Sequence, residues 1–538
     1  MELSYRGLKD SAAWKQAGIG LPDYDPKALA CATVKDPRWV HVGIGNIFRI
    51  FIGGIADTLI AEHLLDRGIT CVEAFDYDVV DKIYAPFDNL VLSATLSADG
   101  SRDFRVLGSL SEAVKARMEG SQSLNRLKEI FTNRSLQLVT FTITEKGYAL
   151  KSPDGSYLPY VKSDIEKGPS KATGVMGIMT ALLYERFLKG AVPLAMVSFD
   201  NVSKNGSKLR DSVLKMAEVW LERGFVSEEF LSYVSDESRV SFPWTMIDKI
   251  TPRPSPEVAL SLEEKGVEKQ DIVVTSRHTY IAPFVNAEKP QYLVVEDSFP
   301  NGRPPLEKAG VFLTDRETVN LSERMKVTVC LNPVHTALCT YAVMLGYKYF
   351  SDGFLDEDLH KLAYRLAYVE GLPVVDDPKI ISPKAFLDEL FNERFPNSYM
   401  GDTNARIAVD ISQMLGIRFG HTVKAYLDRY GSTETLTAEP LAIAGWLRYL
   451  LSVDDFGRSF ELSPDPMAVS IRSQLSQVSW DRPDTLGDSL KGILSNAELF
   501  GLDLYSAGLG DRIEQMVREM LEGSGAVRQT LKKYLGRA

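Results

Sequence analysis

A lysine, an asparagine and a histidine lie close together in a mostly apolar stretch, KVTVCLNPVHTALC, which runs from residue 326 to residue 339. A buried lysine can act as an acid or base near neutral pH, because burial lowers its pKa from about 10.4. An amide and an imidazole can donate hydrogen bonds to an oxygen atom that gains negative charge during a reaction. Lys326, Asn332 and His335 are therefore candidates for a catalytic centre.

The same stretch allows two other interpretations. Cys330, His335 and Cys339 are residue types that bind zinc, but they lack the C-x-x-C or H-E-x-x-H spacing and a fourth ligand. We therefore expect no bound metal. The plainest alternative is a buried helix whose lysine extends to the surface, and the residues by themselves leave that alternative open.

A second candidate site follows WVHVGIG, which predicts a buried strand that ends in a glycine turn. Gly43 permits the tight turn, and Gly45 lets the backbone approach a pyrophosphate at the N-terminus of the next helix. Phe48 stands at the usual third glycine position, so the G-x-G-x-x-G pattern is incomplete. A glycine turn without a ligand is the alternative.

Three acidic residues, Glu73, Asp76 and Asp78, lie at the end of the second predicted strand, ITCVEAF, or just after it. A carboxylate at this place accepts hydrogen bonds from the adenosine ribose and repels a 2′-phosphate. The segment therefore predicts NAD rather than NADP as cofactor. The alternative is that these acids are only solvated.

The secondary structure predicted around these residues differs between the first and second parts of the chain. Between residue 39 and about residue 200, buried strands such as LQLVTFTIT and AVPLAMVSFD alternate with helical patterns, which indicates an α/β domain with a parallel sheet. Beyond about residue 320, long helical patterns follow one another. We predict a Rossmann-type parallel-sheet domain over 1–285 and a mostly α-helical domain over 286–538.

Composition narrows the class of protein. The chain has 538 residues, of which 45% are hydrophobic and 25% charged, as in a soluble globular protein. A net charge of −11 without a basic stripe argues against a nucleic-acid partner. No signal core or apolar run of membrane-spanning length is present, and four cysteines form no disulfide framework. We expect a cytoplasmic monomer or small homo-oligomer with no membrane partner.

Several longer motifs resemble one family in order along the chain. LPDYD and HVGIGNIFR near the start resemble the polyol-specific long-chain dehydrogenases, a family that includes hexuronate reductases. Further matches, apart from the stretch that contains Lys326, are TITEKGY (142–148), SFDNVSKNG (198–206), SFPWTMIDKITP (241–252), GRPPLEKAGVFLTD (302–315), RFPNSYMGDTNARIA (394–408) and SVDDFGRSFELSPDPMA (452–468). The resemblance spans nearly the whole chain.

The resemblance implies a role for each part of the two candidate sites. The N-terminal Rossmann domain would bind the cofactor through the glycine loop, including Asn46 and Arg49, and through Asp78, with Asp76 as the nearest competitor. Lys326 would be the acid or base and would act with Asn332 and His335, without a metal. Asn201, Asp248 and Arg406 match family positions that contact the substrate.

Two departures from the family pattern affect the expected site. The lysine of the relatives precedes the asparagine by five residues, whereas Lys326 precedes Asn332 by six. One extra residue rotates an α-helix by about 100°, and Pro333 cannot donate to residue 329. We therefore predict a π-bulge or wide kink between Lys326 and Pro333.

The second departure concerns the wall of the substrate site. Relatives place a lysine eight residues after the arginine that matches Arg406, but this chain has Met414 there. Arg418 and His421 are the candidates to replace that cation.

Three functions are compatible with the sequence. The first is NAD-dependent reduction of a keto-hexuronate, D-fructuronate to D-mannonate or a stereoisomer. The second is oxidation and reduction of a polyol and ketose pair, as in mannitol 2-dehydrogenase. The third, from a different class, is a non-catalytic sugar or nucleotide sensor that has kept the fold.

Overall fold

The computed structural model describes residues 1–117 and 122–536, which form two compact units. Unit 1 comprises Met1–Leu96 and Ser101–Asn320, and unit 2 comprises Ser97–Gly100 and the chain from Leu321 onward. The strands of unit 1, in chain order, are β1 Ile19–Gly20, β2 Trp39–Val42, β3 Ile69–Glu73, β4 Val91–Leu96, β5 Arg102–Leu107, β6 Leu110–Lys115, β7 Leu138–Phe141, β8 Leu194–Ser198, β9 Val240–Ser241, β10 Thr245–Asp248, β11 Val273–Val274, β12 Tyr280–Ile281, β13 Phe284–Glu288, β14 Tyr292–Glu296 and β15 Phe312–Thr314.

The main sheet of unit 1 is parallel throughout and has the strand order β6-β3-β2-β7-β8-β9. Counted along the chain within this sheet, the order is 3-2-1-4-5-6, which defines the Rossmann fold. The order in which the chain adds strands to the sheet reverses between β2 and β7, so the loops after these two strands border the crevice in which such folds bind ligands. The predicted parallel-sheet domain is confirmed.

Both faces of this sheet are buried because its strands are apolar at nearly every position. Val40 and Val42 of β2 point into one hydrophobic cluster, and Trp39 points into a second one on the other face. In β8, Leu194 and Met196 point into the first cluster, whereas Ala195 and Val197 point into the second. Successive side chains of a strand alternate between faces, so helices must cover both sides.

Helices of unit 1 provide that cover. They are α1 Ser11–Gln16, α2 Pro26–Lys35, α3 Gly53–Ala61, α4 Gln122–Thr132, α5 Thr144–Tyr148, α6 Pro159–Lys167, α7 Val175–Leu188, α8 Asn205–Glu222, α9 Glu228–Ser235 and α10 Pro256–Glu264, with α11 Arg316–Met325 leading out of the unit.

Smaller sheets extend unit 1 beyond the predicted domain boundary at residue 285. Strand β13 pairs with β4, and β14 pairs with both β10 and β15. These backbone pairings hold residues 286–320 in unit 1, so the chain divides at Asn320 and Leu321 instead. The periodicity of single segments carries no information about partners so far away in sequence.

Unit 2 is helical, as predicted, and no strand occurs in its described residues from 321 to 536. Its helices are α12 Asn332–Met344, α13 Phe350–Phe354, α14 Glu357–Tyr364, α15 Pro383–Glu389, α16 Asn404–Ile407, α17 His421–Tyr430, α18 Ala438–Tyr449, α19 Ala468–Gln474, α20 Lys491–Leu494, α21 Ala497–Phe500, α22 Gly510–Met520 and α23 Ala526–Leu535. Every residue of α18 is buried, so this helix forms the centre of the unit.

Helices α12 and α18 pack closely because Gly445 has no side chain. A Cβ atom at Gly445 would lie 2.3 Å from the ring of Tyr341. The Tyr341 hydroxyl donates to the Leu441 carbonyl at 2.8 Å. This contact fixes the helix that begins at Asn332 against the centre of unit 2.

Several helices contain π-helical turns, which accommodate one more residue than an α-turn. They cover Phe48–Ile52, Val80–Tyr84, Lys326–Cys330, Arg365–Gly371, Leu390–Arg394 and Gly416–Gly420. The continuous helix Arg316–Met344 is long and apolar enough to cross a membrane, but 78% of its apolar window is buried inside the protein.

Candidate active site

The turn after β2 leaves its backbone open to a ligand. Gly43 has φ +90°, and a Cβ atom there would lie 2.2 Å from the Thr142 carbonyl oxygen, so only glycine fits. A Cβ atom at Gly45 would meet no described atom within 4 Å. Gly43 therefore shapes the turn and Gly45 leaves its outer side clear, as predicted from the sequence.

A helix begins directly after this turn and continues to Ala61. Asn46 lies in its first turn, and the Oδ1 atom of Asn46 is buried without a hydrogen-bond partner among the described residues. The free N–H groups of a helix N-terminus attract anions. An orphaned buried oxygen beside them fits a ligand that brings its own hydrogen-bond donors.

Arg49 has a different environment from the predicted one. Its side chain is fully buried, and its two terminal nitrogens donate to the carbonyl oxygens of Ala282 and Pro283 at 2.7 and 3.1 Å. Burial lowers the pKa of Arg49 to about 10. The prediction of a cofactor contact for Arg49 is therefore corrected to a structural role, in which this residue holds the segment before β13 against the helix after β2.

A buried histidine connects the two strands at the crevice. The two ring nitrogens of His41 lie 2.7 Å from Thr140 Oγ1 and 2.8 Å from Thr142 Oγ1. Thr142 Oγ1 in turn donates to the Gly43 carbonyl at 2.7 Å. Burial lowers the pKa of His41 well below its usual value, so the ring is neutral and serves as a hydrogen-bonding spacer.

The three acids at the end of β3 differ in how their oxygens are used. Glu73 is buried and accepts hydrogen bonds from the backbone nitrogens of Ile44, Phe75 and Asp76, so both of its oxygens are satisfied. One oxygen of Asp76 accepts from Thr275 at 2.5 Å, whereas the other is buried without a partner among the described residues.

Asp78 lies further out and is half-buried. Its carboxylate accepts from the Ser276 backbone nitrogen at 3.0 Å and from Lys82 at 2.9 Å. The Ser276 hydrogen bond and the Lys82 bond hold the pKa of Asp78 at about 2. Asp76 and Asp78 can thus still accept a further hydrogen bond, whereas both oxygens of Glu73 are already used.

The loop after β8 contains a buried group that sequence reasoning missed. Asp200 accepts from the backbone nitrogens of Ile143 and Thr144 at 3.0 and 2.8 Å and from the Tyr148 hydroxyl at 2.5 Å. The Tyr148 hydroxyl also lies 2.8 Å from Ser198 Oγ. The motifs TITEKGY and SFDNVSKNG contain these residues, but only their place in the fold shows that Asp200 joins the two loops.

The predicted substrate residues of unit 1 lie at or just beyond the carboxyl ends of two strands, β8 and β10. Asn201 is exposed directly after Asp200, and Asp248 is buried at the end of β10. Asn205 joins their two segments, because its amide nitrogen donates to Thr245 Oγ1 at 2.8 Å and to the Asp200 carbonyl at 3.0 Å.

In unit 2, the predicted distortion of the lysine helix is confirmed. Residues Lys326–Cys330 form a π-helical turn, and the Leu331 nitrogen donates to the Lys326 carbonyl at 3.0 Å, five residues back. Pro333 follows at the start of α12 and has no N–H to continue the earlier ladder. The π-turn thus has room for the extra residue that the family resemblance implies between Lys326 and Asn332.

Lys326 is buried, with 2% of its surface exposed. The π-turn that carries it packs against the π-turn Arg365–Gly371, where a Cβ atom at Gly371 would lie 2.6 Å from Val329. The absence of a side chain at Gly371 allows this close approach. This burial argues against the alternative in which the lysine extends to the surface.

Asn332 and His335 lie three residues apart in α12, so their side chains share one face of the helix. The His335 ring contacts Phe350 edge-on at 4.6 Å and Phe395 at 5.2 Å between ring centroids. Burial, together with the charges of Arg394, Arg418 and Arg406, lowers the pKa of His335 to about 3. The imidazole is therefore neutral and can donate one N–H.

The positive charges of three arginines thus act on this histidine in unit 2. Arg406 extends from α16, and its charge is paired with Asp402. Arg418 donates to Thr336 Oγ1 at 2.5 Å, which places it beside His335. His421, the other candidate to replace the missing lysine at Met414, lies 3.4 Å from Asp376 and 3.1 Å from Arg324 instead.

Cys330 and Cys339 are buried free thiols, and burial raises the pKa of each. Among the described residues, no group of three or more His, Cys, Asp and Glu side chains is arranged to hold a metal ion.

The two units correspond to the two domains of one protein family. Residues 37–308 match the mannitol dehydrogenase Rossmann domain, and residues 319–521 match the mannitol dehydrogenase C-terminal domain. The chain therefore belongs to the mannitol dehydrogenase family and is an oxidoreductase of that family.

Individual relatives cover almost all of the chain. The D-mannonate oxidoreductase of Thermotoga maritima is 47% identical over 100% of this chain and 99% of its own length. A mannitol 2-dehydrogenase of Pseudomonas fluorescens, solved as a ternary complex with NAD and D-mannitol, is 25% identical, covers 100% of both chains and has a TM-score of 0.70. A D-sorbitol dehydrogenase structure, 24% identical, shares the fold with a TM-score of 0.79 over 96% of this chain and 98% of its own.

Proposed function

We propose that this protein uses NADH to reduce a keto-hexuronate, D-fructuronate to D-mannonate or a stereoisomer. The observation that carries the proposal is the positive charge of three arginines that acts on the neutral His335, because the carboxylate at the far end of a keto-hexuronate from its carbonyl group needs a cation in the same site. The D-mannonate oxidoreductase at 47% identity supports the same substrate class.

The cofactor is NAD, and the crevice residues of unit 1 fit it. Gly45 leaves the backbone accessible, and the N–H groups of the helix N-terminus would receive the pyrophosphate, whereas Asn46 Oδ1 would accept from a hydroxyl or amide donor of the cofactor. Asp76 and Asp78 would accept hydrogen bonds from the adenosine ribose and repel a 2′-phosphate. When bound, NADH supplies the hydride that reaches the carbonyl carbon of the substrate.

Residues in and just before α12 would stabilise and then neutralise the negative charge that hydride transfer creates on the substrate. As the carbonyl carbon gains the hydride, its oxygen becomes negative, and the Asn332 amide and the neutral His335 N–H would donate to that oxygen. Lys326 would then transfer a proton to the oxygen, which completes the alcohol, and would regain a proton from solvent. The reverse sequence oxidises the alcohol.

Asn201, Asp248 and Arg406 would orient the substrate. Asn201 and Asp248 offer an amide and a carboxylate to sugar hydroxyls, and Arg406 offers a guanidinium that Asp402 already partly neutralises. The roles of all these residues follow the family positions that they match.

A panel of ketoses and keto-uronates tests the proposal with the unaltered protein. Oxidation of NADH, followed by its absorbance, should be fastest with a keto-uronate and much slower with the ketose of the same configuration. Fastest turnover with fructose would favour a mannitol 2-dehydrogenase activity. No turnover with any member of the panel, despite measurable NADH binding, would favour a sensor.

A further inference from the structure

Arg418 is attached to the same turn of unit 2 that carries the proposed catalytic residues. It lies in the π-turn Gly416–Gly420, and its Nη1 donates to Thr336 Oγ1 at 2.5 Å. Thr336 follows His335 directly and donates its own hydroxyl to the Asn332 carbonyl at 2.9 Å. The position of the Arg418 guanidinium is thereby coupled to the first turn of α12.

The charge of Arg418 is not neutralised by the protein. No acidic side chain of the described chain, 1–117 and 122–536, lies within ion-pairing distance of it, whereas Arg406, Arg365 and Arg324 each have one. Its Nε is buried without a hydrogen-bond partner among the same residues. Burial lowers the pKa of Arg418, and the partial desolvation of this cation reduces the stability of the folded protein.

An anion is the ligand that would satisfy such a group. A guanidinium binds a carboxylate through two parallel N–H donors, and Nε together with one Nη nitrogen forms such a pair. Thr336 holds one terminal nitrogen, Nη1, which leaves Nε and Nη2 available on the same edge of the fork. A neutral sugar hydroxyl would not offset the buried charge to the same extent.

We propose that Arg418 binds the carboxylate of the sugar-acid substrate and supplies the cation that this chain, with Met414 in place of the family's lysine, otherwise lacks. This inference rests on the proposed reduction of a keto-uronate. It makes Arg418 the residue that distinguishes a sugar acid from the neutral sugar of the same configuration.

Two variants at this position and one matched control test the inference. In Arg418→Met the charge is lost but the volume is kept, and in Arg418→Lys the charge is kept but the two-pronged geometry is lost. Arg518→Met is the control, because Arg518 is a half-buried arginine of α22 that donates only to the Pro483 carbonyl. Each protein is assayed with D-fructuronate and with D-fructose, and kcat and KM are determined separately.

For Arg418→Met, kcat/KM with fructuronate should fall about 10- to 100-fold, the scale of a lost charge-assisted hydrogen bond, mainly through a higher KM. Its kcat/KM with fructose should fall far less, so the preference for the acid shrinks. Arg418→Lys should lie between Arg418→Met and the wild type, and Arg518→Met should keep the wild-type preference. Thermal unfolding should show that both Arg418 variants fold.

Other outcomes overturn the inference and separate it from the proposed function. If wild type reduces fructuronate and Arg418→Met keeps the wild-type preference, this inference is wrong while the proposed function stands. Equal losses with both substrates through kcat would instead show that Arg418 positions α12 through Thr336. A wild type that reduces fructose but no keto-uronate would overturn both. If Arg418→Met does not fold, the kinetics of Arg418→Lys decide between these outcomes.

Discussion

The candidate binding residues of unit 1 and those of unit 2 carry opposite charges and are positioned by different backbone features. Unit 1 presents open glycine backbone, a helix N-terminus and the carboxylates of Asp76 and Asp78. Unit 2 presents a neutral histidine within the field of three arginines. The difference indicates which part of a reaction each unit serves, because ribose hydroxyls need acceptors whereas an anionic substrate needs donors with positive charge.

Both units contain π-helical turns, in unit 1 at Phe48–Ile52 and Val80–Tyr84, and unit 1 adds an open glycine turn at the end of a parallel strand. In unit 2, Lys326, Arg394 and Arg418 each lie in a π-helical turn, and such turns often occur at functional sites. A π-turn rotates the residues on its two sides relative to one another, so it can aim a long cationic side chain that a regular helix would direct elsewhere.

The largest effect should come from the lysine of unit 2. Lys326→Ala should lower kcat by about 100-fold or more, the usual scale for loss of a general acid or base. Binding of NADH, measured by fluorescence titration, should barely change, because this lysine would serve the substrate. Lys361→Ala is the control, since Lys361 is an exposed lysine paired with Glu357. A near-normal kcat for Lys326→Ala would contradict the role.

The acids of unit 1 should give a smaller effect, on the choice of cofactor. Asp78→Ala should lower the preference for NADH over NADPH in kcat/KM by about tenfold, the scale of one hydrogen bond to a charged group. Asp81→Ala should leave the preference unchanged, because Asp81 pairs with Lys115. If Asp78→Ala keeps the wild-type ratio and Asp76→Ala loses it, Asp76 is the ribose acceptor.

The neutral histidine predicts a modest dependence of stability on pH. The pKa of His335 is about 3 in the folded protein, against about 6.5 for an unfolded histidine, so the unfolded state binds more protons between these values. The contribution of His335 to stability is complete above about pH 6.5 and declines as the pH falls toward 3. Urea unfolding should therefore show a greater loss for wild type than for His335→Gln between pH 7 and pH 5. Parallel curves would contradict the prediction.

Removal of metal ions should leave the enzymatic activity unchanged. The proposed chemistry uses Lys326 as the proton donor, so activity should survive incubation with EDTA. A zinc-dependent alcohol dehydrogenase treated in the same way shows that the chelator works. Activity that EDTA abolishes and zinc restores would require a metal in the mechanism.

The sequence predicts those features that depend on local physics. Strands β2, β3, β7 and β8 are evident because strands buried on both faces are continuously apolar. The π-turn at Lys326–Cys330 is predictable because the extra residue and Pro333 lie within one turn of each other. Family motifs supply the site residues, and those roles stay predictions.

Features that depend on distant partners could not be predicted in this way. Arg49 binds carbonyls more than two hundred residues away, at Ala282 and Pro283, so its loop motif gives no indication of its burial. The contact of Arg418 with Thr336 likewise spans 82 residues. The domain boundary predicted at residue 285 did not take account of the pairing of β13 with β4, because the sequence pattern of a strand does not identify the strand it pairs with.

The π-turn at Lys326–Cys330 also bears on how this chain diverged from its relatives. The family resemblance implies one residue more here than in the relatives, and a π-turn holds one residue more than an α-turn. A helix core ordinarily rejects an insertion, since every later side chain would turn away from its partner. We expect that an insertion at this turn needs no compensating change in α12, whose Tyr341 donates to the Leu441 carbonyl.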